Sequence, residues 1–141
     1  MNADELADKV ARAMLAAEGT GPAWGVEIEE AREGYSRIRM TIRSDMLNGH
    51  RRAHGGMIYA LADTAFAYAC NSRNLASVGA QATMVFLDSA GEGEVLVAEA
   101  QEAALVGRSG VYNVSVRTAD GRAIAEFQGF SRSIGGEFVG L

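Results

Sequence analysis

The residues whose types and spacing could support chemistry lie in one stretch, NGHRRAHGGMIYALADTAFAYACNS, at residues 48–72. His54, Gly55 and Gly56 precede a long alanine-rich run, and a single carboxylate, Asp63, interrupts that run. The first N–H groups of a helix have no intrahelical partner and lie at the positive end of its dipole. Two glycines there would let a ligand approach closely, so these N–H groups could polarise a carbonyl oxygen or stabilise an oxyanion. The alternative is that the glycines only form a turn entering the helix.

Asp63 is the second candidate, because its surroundings do not resemble a solvated helix face. Its neighbours Ala60, Thr64 and Ala67 are not the Lys and Glu that usually cover such a face. No basic residue lies three or four positions away to pair with it. A solvent-facing or ion-paired acid is the alternative, but the pattern favours a functional carboxylate. We expect desolvation to raise its pKa above that of a free aspartate.

The distance between these candidates predicts an oligomer. Helical periodicity puts Gly56 and Asp63 on one face, with Tyr59 beside them. They are about 10.5 Å apart along the helix, so one acyl carbon cannot contact both within one chain. Two antiparallel helices related by a two-fold axis would bring the glycine end of one to the aspartate of the other. If both groups act on one substrate, the site lies at a dimer interface.

The loop before the helix offers further candidates. Asn48 could donate a hydrogen bond to substrate or water, or could simply hold the loop. The two histidines, His50 and His54, do not have a recognised zinc-binding spacing, so no metal and no cofactor are expected. The sequence has no G-x-S-x-G and no P-loop, which leaves serine-hydrolase and nucleotide-binding functions without support.

Composition narrows the class of partner. The chain has 141 residues and a net charge of −5, which predicts one domain, residues 1–141, and argues against nucleic-acid or anionic-membrane partners. Its single cysteine, Cys70, cannot form an internal disulfide and is expected to be a small core residue in a reducing cytosol. We find neither a signal-peptide pattern nor a stretch of eighteen apolar residues, so we expect a cytoplasmic protein without a membrane span.

The elements that must position these residues form an α+β pattern. Leu6, Val10 and Met14 predict a short amphipathic helix at about residues 3–17, and residues 55 to about 71 predict a long central helix. An antiparallel hairpin is predicted between them, with alternation beginning at Trp24 and a turn at Glu33-Gly34, followed by a loop at residues 45–52.

Four strands are predicted after the central helix. The first, SVGAQATMVFLD, is mostly apolar and is expected to be well covered, and the last two are joined by a turn at Asp120-Gly121. Because no helices alternate with these strands, the pattern argues against a doubly wound sheet. We therefore expect a strongly curved antiparallel sheet of about six strands wrapped around the central helix.

The segment from residue 48 to residue 72 closely resembles the hotdog-fold acyl-CoA thioesterases of the phenylacetate-degradation type. Those proteins carry N-G-H-x-x-x-H-G-G running into L-A-D-T-A-F-A-Y-A-C-N-S. The match continues more loosely through FLDSAGEGEVLVAEA, GRSGVYNVSV, AEFQGFSR and IGG. The resemblance implies a hotdog fold, two subunits sharing one continuous sheet, and commonly two such dimers in a tetramer. It also implies hydrolysis of aryl-acetyl-CoA thioesters, phenylacetyl-CoA and hydroxylated relatives, to free acid and CoA.

The resemblance also assigns catalytic roles to four residues. Asp63 matches the catalytic acid of the family, acting as general base or nucleophile. Gly55 matches the glycine whose backbone N–H polarises the thioester carbonyl. Asn48 matches the asparagine near the attacking water, and His54 matches the histidine of the H-G-G segment.

The candidate substrate-binding residues are Gly56, Tyr59 and Arg108. Arg108, retained in GRSGVY, is a candidate for the CoA phosphates or else a surface arginine at a strand end. The chain departs from the family at residues 86–89, which are FLDS where the family often has F-L-R-P, and at residues 131–133, which are SRS where the family often carries His-Arg. The first departure puts any CoA contact from that turn in doubt.

Two other functions remain open on the sequence. A hotdog hydratase or dehydratase would need an acid and a base about a C–C or C–O bond, and His54 precedes the helix instead of facing Asp63. A non-catalytic acyl-CoA-binding protein would not need Asp63 at all.

Overall fold

The chain folds as one sheet with a long helix against it, and the computed structural model describes all 141 residues. The elements are α1 (Ala3–Ala17), α2 (Thr20–Trp24), β1 (Glu27–Arg32), β2 (Tyr35–Thr41), α3 (Gly55–Cys70), β3 (Ser77–Phe86), β4 (Val95–Val106), β5 (Ser109–Thr118) and β6 (Ala123–Ser133). The six strands are all antiparallel and follow the order β1-β2-β4-β5-β6-β3. The four strands of the second half and the Asp120-Gly121 turn are therefore confirmed.

The central helix α3 is apolar around most of its circumference, which is typical of a helix enclosed by other elements. Half of its sixteen residues are buried, and it packs on the sheet. Ser36 on β2 donates a hydrogen bond of 2.6 Å from its hydroxyl to the Ala65 carbonyl. The Phe66 ring packs where Gly79 and Gly129 have no side chain, since a Cβ at either glycine would lie within 3.0 Å of the ring. These two glycines let the strands approach the helix closely.

Curvature of the sheet has a local cause in β-bulges. Register shifts occur in the β1-β2, β3-β6, β4-β5 and β5-β6 pairs. Each extra residue bends its strand and increases the local twist. The bent sheet curves around α3, and the expected hotdog fold is confirmed.

The N-terminal helix α1 has the predicted bounds. The Asn2 side chain accepts a hydrogen bond of 2.8 Å from the Glu5 N–H, which caps the helix, and Asp4 and Glu5 lie in its first turn. Its buried residues Ala7, Val10 and Ala11 face β1 and α3. None of the helices is both long enough and apolar enough to cross a membrane.

The structure corrects two expectations about the strands. Trp24 does not begin the first strand; it ends the short helix α2, and the strand starts at Glu27. The apolar strand β3 is not well covered within one chain, because it is the last strand of the sheet and most of its side chains are exposed. An apolar composition predicts burial, but it cannot tell burial within the chain from burial against a partner.

Candidate active site

The loop before α3 is organised by Asn48. Its side-chain Oδ1 accepts hydrogen bonds from the His50 N–H at 2.9 Å and the Arg52 N–H at 3.2 Å. Its backbone carbonyl accepts from the Arg51 N–H, and Arg51 has a φ of 61° in the tight turn. The Nδ2 of Asn48 makes no hydrogen bond within the chain, so this amide holds the loop and still has a donor to offer.

The first turn of α3 leaves one backbone donor free. His54 is the N-cap, and its Nδ1 accepts a hydrogen bond of 2.8 Å from the Gly56 N–H. The next two N–H groups, of Met57 and Ile58, donate to the His54 carbonyl. The Gly55 N–H has no acceptor within the chain. Since it also lies at the positive end of the helix dipole, Gly55 can polarise a carbonyl oxygen.

A cavity of about 440 Å³ adjoins this donor. Asn48, His50 and Arg52 line it from the loop, and Gly55 lines it from the helix. The Phe86 ring also lines the cavity and lies close to the glycine, since a Cβ on Gly55 would come within 3.3 Å of the ring. A carbonyl group in this cavity could therefore contact both a free N–H and an aromatic ring.

Asp63 lies two turns further along α3, where its side chain is exposed in the single chain, and it has no hydrogen-bond or ion-pair partner in the chain. It lines a second cavity of about 220 Å³ together with Tyr59, Phe66 and residues 79–82 of β3. Desolvation by the surrounding atoms raises the pKa of its carboxyl above the ordinary aspartate value, in the predicted direction. A carboxylate without a compensating cation is a candidate general base or nucleophile.

Aromatic rings lie beside this carboxylate. Tyr59 meets Phe127 of β6 edge-on, with ring centroids 5.5 Å apart, and Phe66 is 5.8 Å from Phe127. Phe66 and Phe127 are buried, whereas Tyr59 is exposed. The two buried rings belong to the core, and Tyr59 is the ring that a ligand could contact.

The two candidate groups do not meet within one chain. Gly55 and Asp63 are both on α3, but each lines a different cavity. The structure brings Asn48 and Gly55 together at one end of the helix and Tyr59 and Asp63 together along it. Gly56 uses its N–H to complete the cap and has none left to offer a ligand.

Arg108 lies apart from both groups. It is exposed in the turn between β4 and β5 and lines a small cleft with Cys70 and Tyr112 near the C-terminal end of α3. Cys70 is a core residue, as expected, and burial raises the pKa of its thiol to about 12. The thiol is therefore protonated and unreactive near neutral pH.

The sequence analysis assigned no role to several residues that line the first cavity, among them Arg52, Phe86 and Ser89. Arg52 occupies a variable position of the loop motif. Phe86 and Ser89 come from the end of β3 and the turn after it. Phe86 and Ser89 lie near the start of α3 because of the register of β3 in the sheet. The sequence does not reveal that register.

Comparison with known proteins identifies relatives of this chain. The family model of the thioesterase superfamily matches residues 50–125. The acyl-coenzyme A thioesterase PaaI of Escherichia coli is 40% identical over 130 residues, which are 92% of this chain and 93% of that protein. The solved structure of the E. coli PaaI protein from the phenylacetic acid degradation operon superposes with a TM-score of 0.94 at 38% identity, covering 96% of this chain and 99% of that one. A mutant of the phenylacetic acid degradation protein PaaI from Thermus thermophilus superposes with a TM-score of 0.80 at 32% identity, covering 83% of this chain and 100% of that one.

Proposed function

The chain belongs to the thioesterase superfamily, and we propose that it hydrolyses aryl-acetyl-CoA thioesters, phenylacetyl-CoA and its hydroxylated relatives, to the free acid and CoA. As a homologue of an acyl-CoA thioesterase along nearly its whole length, it is a thioester hydrolase. The observation that carries the proposal is that one helix presents both a free backbone N–H, at Gly55, and a carboxylate without a partner, at Asp63.

The Gly55 N–H donates to the thioester carbonyl oxygen in this proposal. Charge develops on that oxygen when the carbonyl carbon becomes tetrahedral, so a fixed donor stabilises the transition state more than the substrate. Asn48 donates through Nδ2 to the carbonyl or the attacking water. His54 has an indirect role: its Nδ1 accepts a hydrogen bond from the Gly56 N–H and so holds the start of the helix in place.

Asp63 activates the nucleophile. As a general base it takes a proton from water, the oxygen attacks the carbonyl carbon, and the C–S bond breaks. The proton then passes to the departing CoA sulfur, which restores the carboxylate. As a nucleophile the carboxylate would itself attack, expelling the thiolate and forming an anhydride that water opens in a second step. A single turnover in water enriched in heavy oxygen separates the two routes if water opens the anhydride at the Asp63 carboxyl carbon. The first acid released then carries no heavy oxygen, whereas the general-base route always places one heavy oxygen in it.

The site needs two chains. The β3 edge, which carries the exposed apolar side chains of Val78, Val85 and Phe86, would pair with the same edge of a second copy and continue the sheet. The α3 helices would then run antiparallel, and Gly55 of one copy would meet Asp63 of the other. Each dimer would contain two sites, and two dimers would form a tetramer.

The acyl and CoA ends have separate contacts in this proposal. Gly56 contributes close backbone approach, and Tyr59 contributes a ring for the aryl group to pack against. Arg108 would reach the CoA phosphates only from a neighbouring subunit, since it does not line the Gly55 cavity of its own chain. We propose that the enzyme acts in the cytosol, in keeping with its buried, unpaired Cys70.

Thiol release from phenylacetyl-CoA tests the activity, and subunit mixing tests the shared site. Asp63→Asn and Gly55→Pro subunits, each inactive alone, should regain activity when co-expressed, because a mixed dimer has one intact site. The same mixture would stay inactive if both groups acted within one chain. Absence of thiol release by the wild-type enzyme, or its replacement by enoyl hydration, would refute the proposed function.

A further inference from the structure

About half of the cations in the chain form an ion pair with an acid. Of its thirteen Lys and Arg residues, seven form carboxylate ion pairs: Arg12, Arg32, Arg37, Arg43, Arg73, Arg117 and Arg122. Arg51 and Arg52 form none, and they are adjacent in the loop that leads to Gly55. Two adjacent arginines without an ion pair, on a chain with a net charge of −5, are a local site of positive potential.

Arg52 is held in place without using its terminal nitrogens. Its Nε donates a hydrogen bond of 3.0 Å to the Ser89 hydroxyl. Its Nη1 lies against the backbone of Gly91, at 2.8 Å from where a Cβ would stand, so any larger residue there would displace the guanidinium. Neither Nη1 nor Nη2 has a hydrogen-bond partner in the chain. A guanidinium fixed through Nε presents its outer nitrogens ready for a ligand.

The one acid on the wall of this cavity already forms an ion pair with another arginine. Asp88 lines the same cavity, but its carboxylate accepts a hydrogen bond of 2.6 Å from Arg122. Arg122 also binds Glu94 with its second terminal nitrogen. Arg52 makes no hydrogen bond to Asp88, although its charge adds to the hydrogen bond from Arg122 in lowering the pKa of that carboxyl. Arg52 is therefore the arginine in the cavity whose terminal nitrogens have no partner, and it lines the same cavity as the Gly55 donor.

We propose that Arg52, oriented by Ser89, binds a phosphoryl oxygen of the CoA portion of the substrate. The inference rests on the proposed function and names the residue that holds the anionic end of the thioester. A planar guanidinium recognises phosphate oxygens through paired N–H groups, and the fixed Nε leaves the terminal nitrogens for that contact. The CoA diphosphate and its ribose phosphate share this chemistry.

A series of thioesters with one acyl group tests the proposal. The series runs from the pantetheine thioester, which has no phosphate, through phosphopantetheine and dephospho-CoA to CoA. We expect Arg52→Gln to lower kcat/KM about ten- to a hundredfold for CoA, mostly through KM, because a charge-assisted contact made equally in ground and transition states is lost. The pantetheine thioester should be unaffected. The first member that shows the loss identifies the phosphoryl group that Arg52 contacts.

Matched variants separate this role from a general effect of charge. Arg39→Gln removes one cation from β2, where Arg39 has no ion pair, and it should leave the whole series unchanged. Ser89→Ala should give a smaller loss with the same dependence on phosphate, and Arg52→Lys should recover part of the affinity. An equal loss on the pantetheine thioester, full activity of Arg52→Gln on CoA, or a phosphate-dependent loss in Arg108→Gln alone would overturn the inference.

Calorimetric binding of CoA separates failure of this inference from failure of the proposed function. Wild-type protein that binds CoA more tightly than Arg52→Gln does, yet hydrolyses no thioester, would support the arginine and refute the activity. Thioester hydrolysis by the wild-type protein, with equal CoA binding by the two proteins, would support the activity and refute the role of Arg52. Wild-type protein that neither binds CoA nor hydrolyses its thioesters would refute both.

Discussion

The His54 Nδ1 atom accepts a hydrogen bond of 2.8 Å from the Gly56 N–H, and the Gly55 N–H between them is left without an acceptor. Most helices satisfy such donors with side chains or solvent. Here the cap satisfies the second N–H and leaves the first one free beside a cavity. His54 therefore caps the helix, Gly56 donates to that cap, and Gly55 keeps an N–H that can bind a ligand.

Gly55→Pro removes the free N–H with little disturbance of the backbone. Proline is well tolerated at the first helical position, and His54 already has the extended φ and ψ of −62° and 134° that a residue before proline requires. We expect kcat to fall about 100- to 1,000-fold, the usual effect of losing one oxyanion donor. Gly55→Ala, which keeps the N–H and adds a methyl group beside Phe86, is the matched control and should lose less. Equal losses in the two variants, with native circular dichroism spectra, would show that the N–H has no special role.

His54→Asn separates capping from direct catalysis. Asparagine is a good N-cap, so this variant should keep both the helix start and most of kcat, whereas His54→Ala should lose about 1 kcal/mol of unfolding free energy. Chemical denaturation and thioester kinetics on the same samples give both quantities. A stable His54→Asn protein without activity would mean that the imidazole itself contacts the reacting groups.

Asp63→Asn should abolish most activity and increase stability. Loss of a general base typically lowers the rate about 100- to 10,000-fold. The folded protein raises the pKa of this carboxyl, so ionised Asp63 destabilises the fold. The thermal midpoint of the variant should therefore exceed that of wild type near neutral pH, and the difference should vanish below the pKa of an unfolded aspartate. A variant with wild-type kcat would remove Asp63 from the mechanism.

The rate should fall on acidification at a pH above the pKa of a free aspartate. The raised pKa leaves Asp63 protonated over a range in which an ordinary aspartate is ionised, and the protonated acid cannot activate water. The dependence of kcat/KM on pH, recorded where circular dichroism shows folded protein, gives the apparent pKa. A flat profile down to the ordinary aspartate value would contradict this expectation.

Phenylacetyl-CoA should be a better substrate than palmitoyl-CoA. A ring one methylene from the carbonyl can pack beside Tyr59 in a cavity of about 220 Å³, whereas a long chain needs a longer space. Misfit of one methylene changes binding by only about 1–3 kcal/mol, so we expect a ratio of kcat/KM values and not an exclusion. Cyclohexylacetyl-CoA is the matched probe for ring stacking. Tyr59→Leu should reduce the difference in kcat/KM between this thioester and phenylacetyl-CoA. A clear preference for palmitoyl-CoA would refute the aryl-acetyl assignment.

Local pattern accounts for most of the fold and for the positions of Gly55 and Asp63 on the central helix. The period of α3 and the glycines before it predicted the helix start, and the lack of a basic neighbour predicted an unpartnered Asp63. The exposure of β3 was not predictable, since an apolar strand has the same composition whether its cover is its own chain or another. The contact of Arg52 with Ser89 was likewise hidden, because it joins a loop to a turn across the sheet.

The position of β3 at the sheet edge also sets the order in which the protein can be assembled during synthesis. Within the sheet β3 hydrogen-bonds only to β6, the last strand of the chain. Residues 77–86 therefore leave the ribosome before their partner strand exists, with Val85 and Phe86 unpaired on the nascent chain. Pairing over so long a sequence separation is slow, and exposed apolar strands are prone to aggregation. Hence β3 can pair with β6 only once that last strand has been made, and an assembly through this edge would have to wait for it.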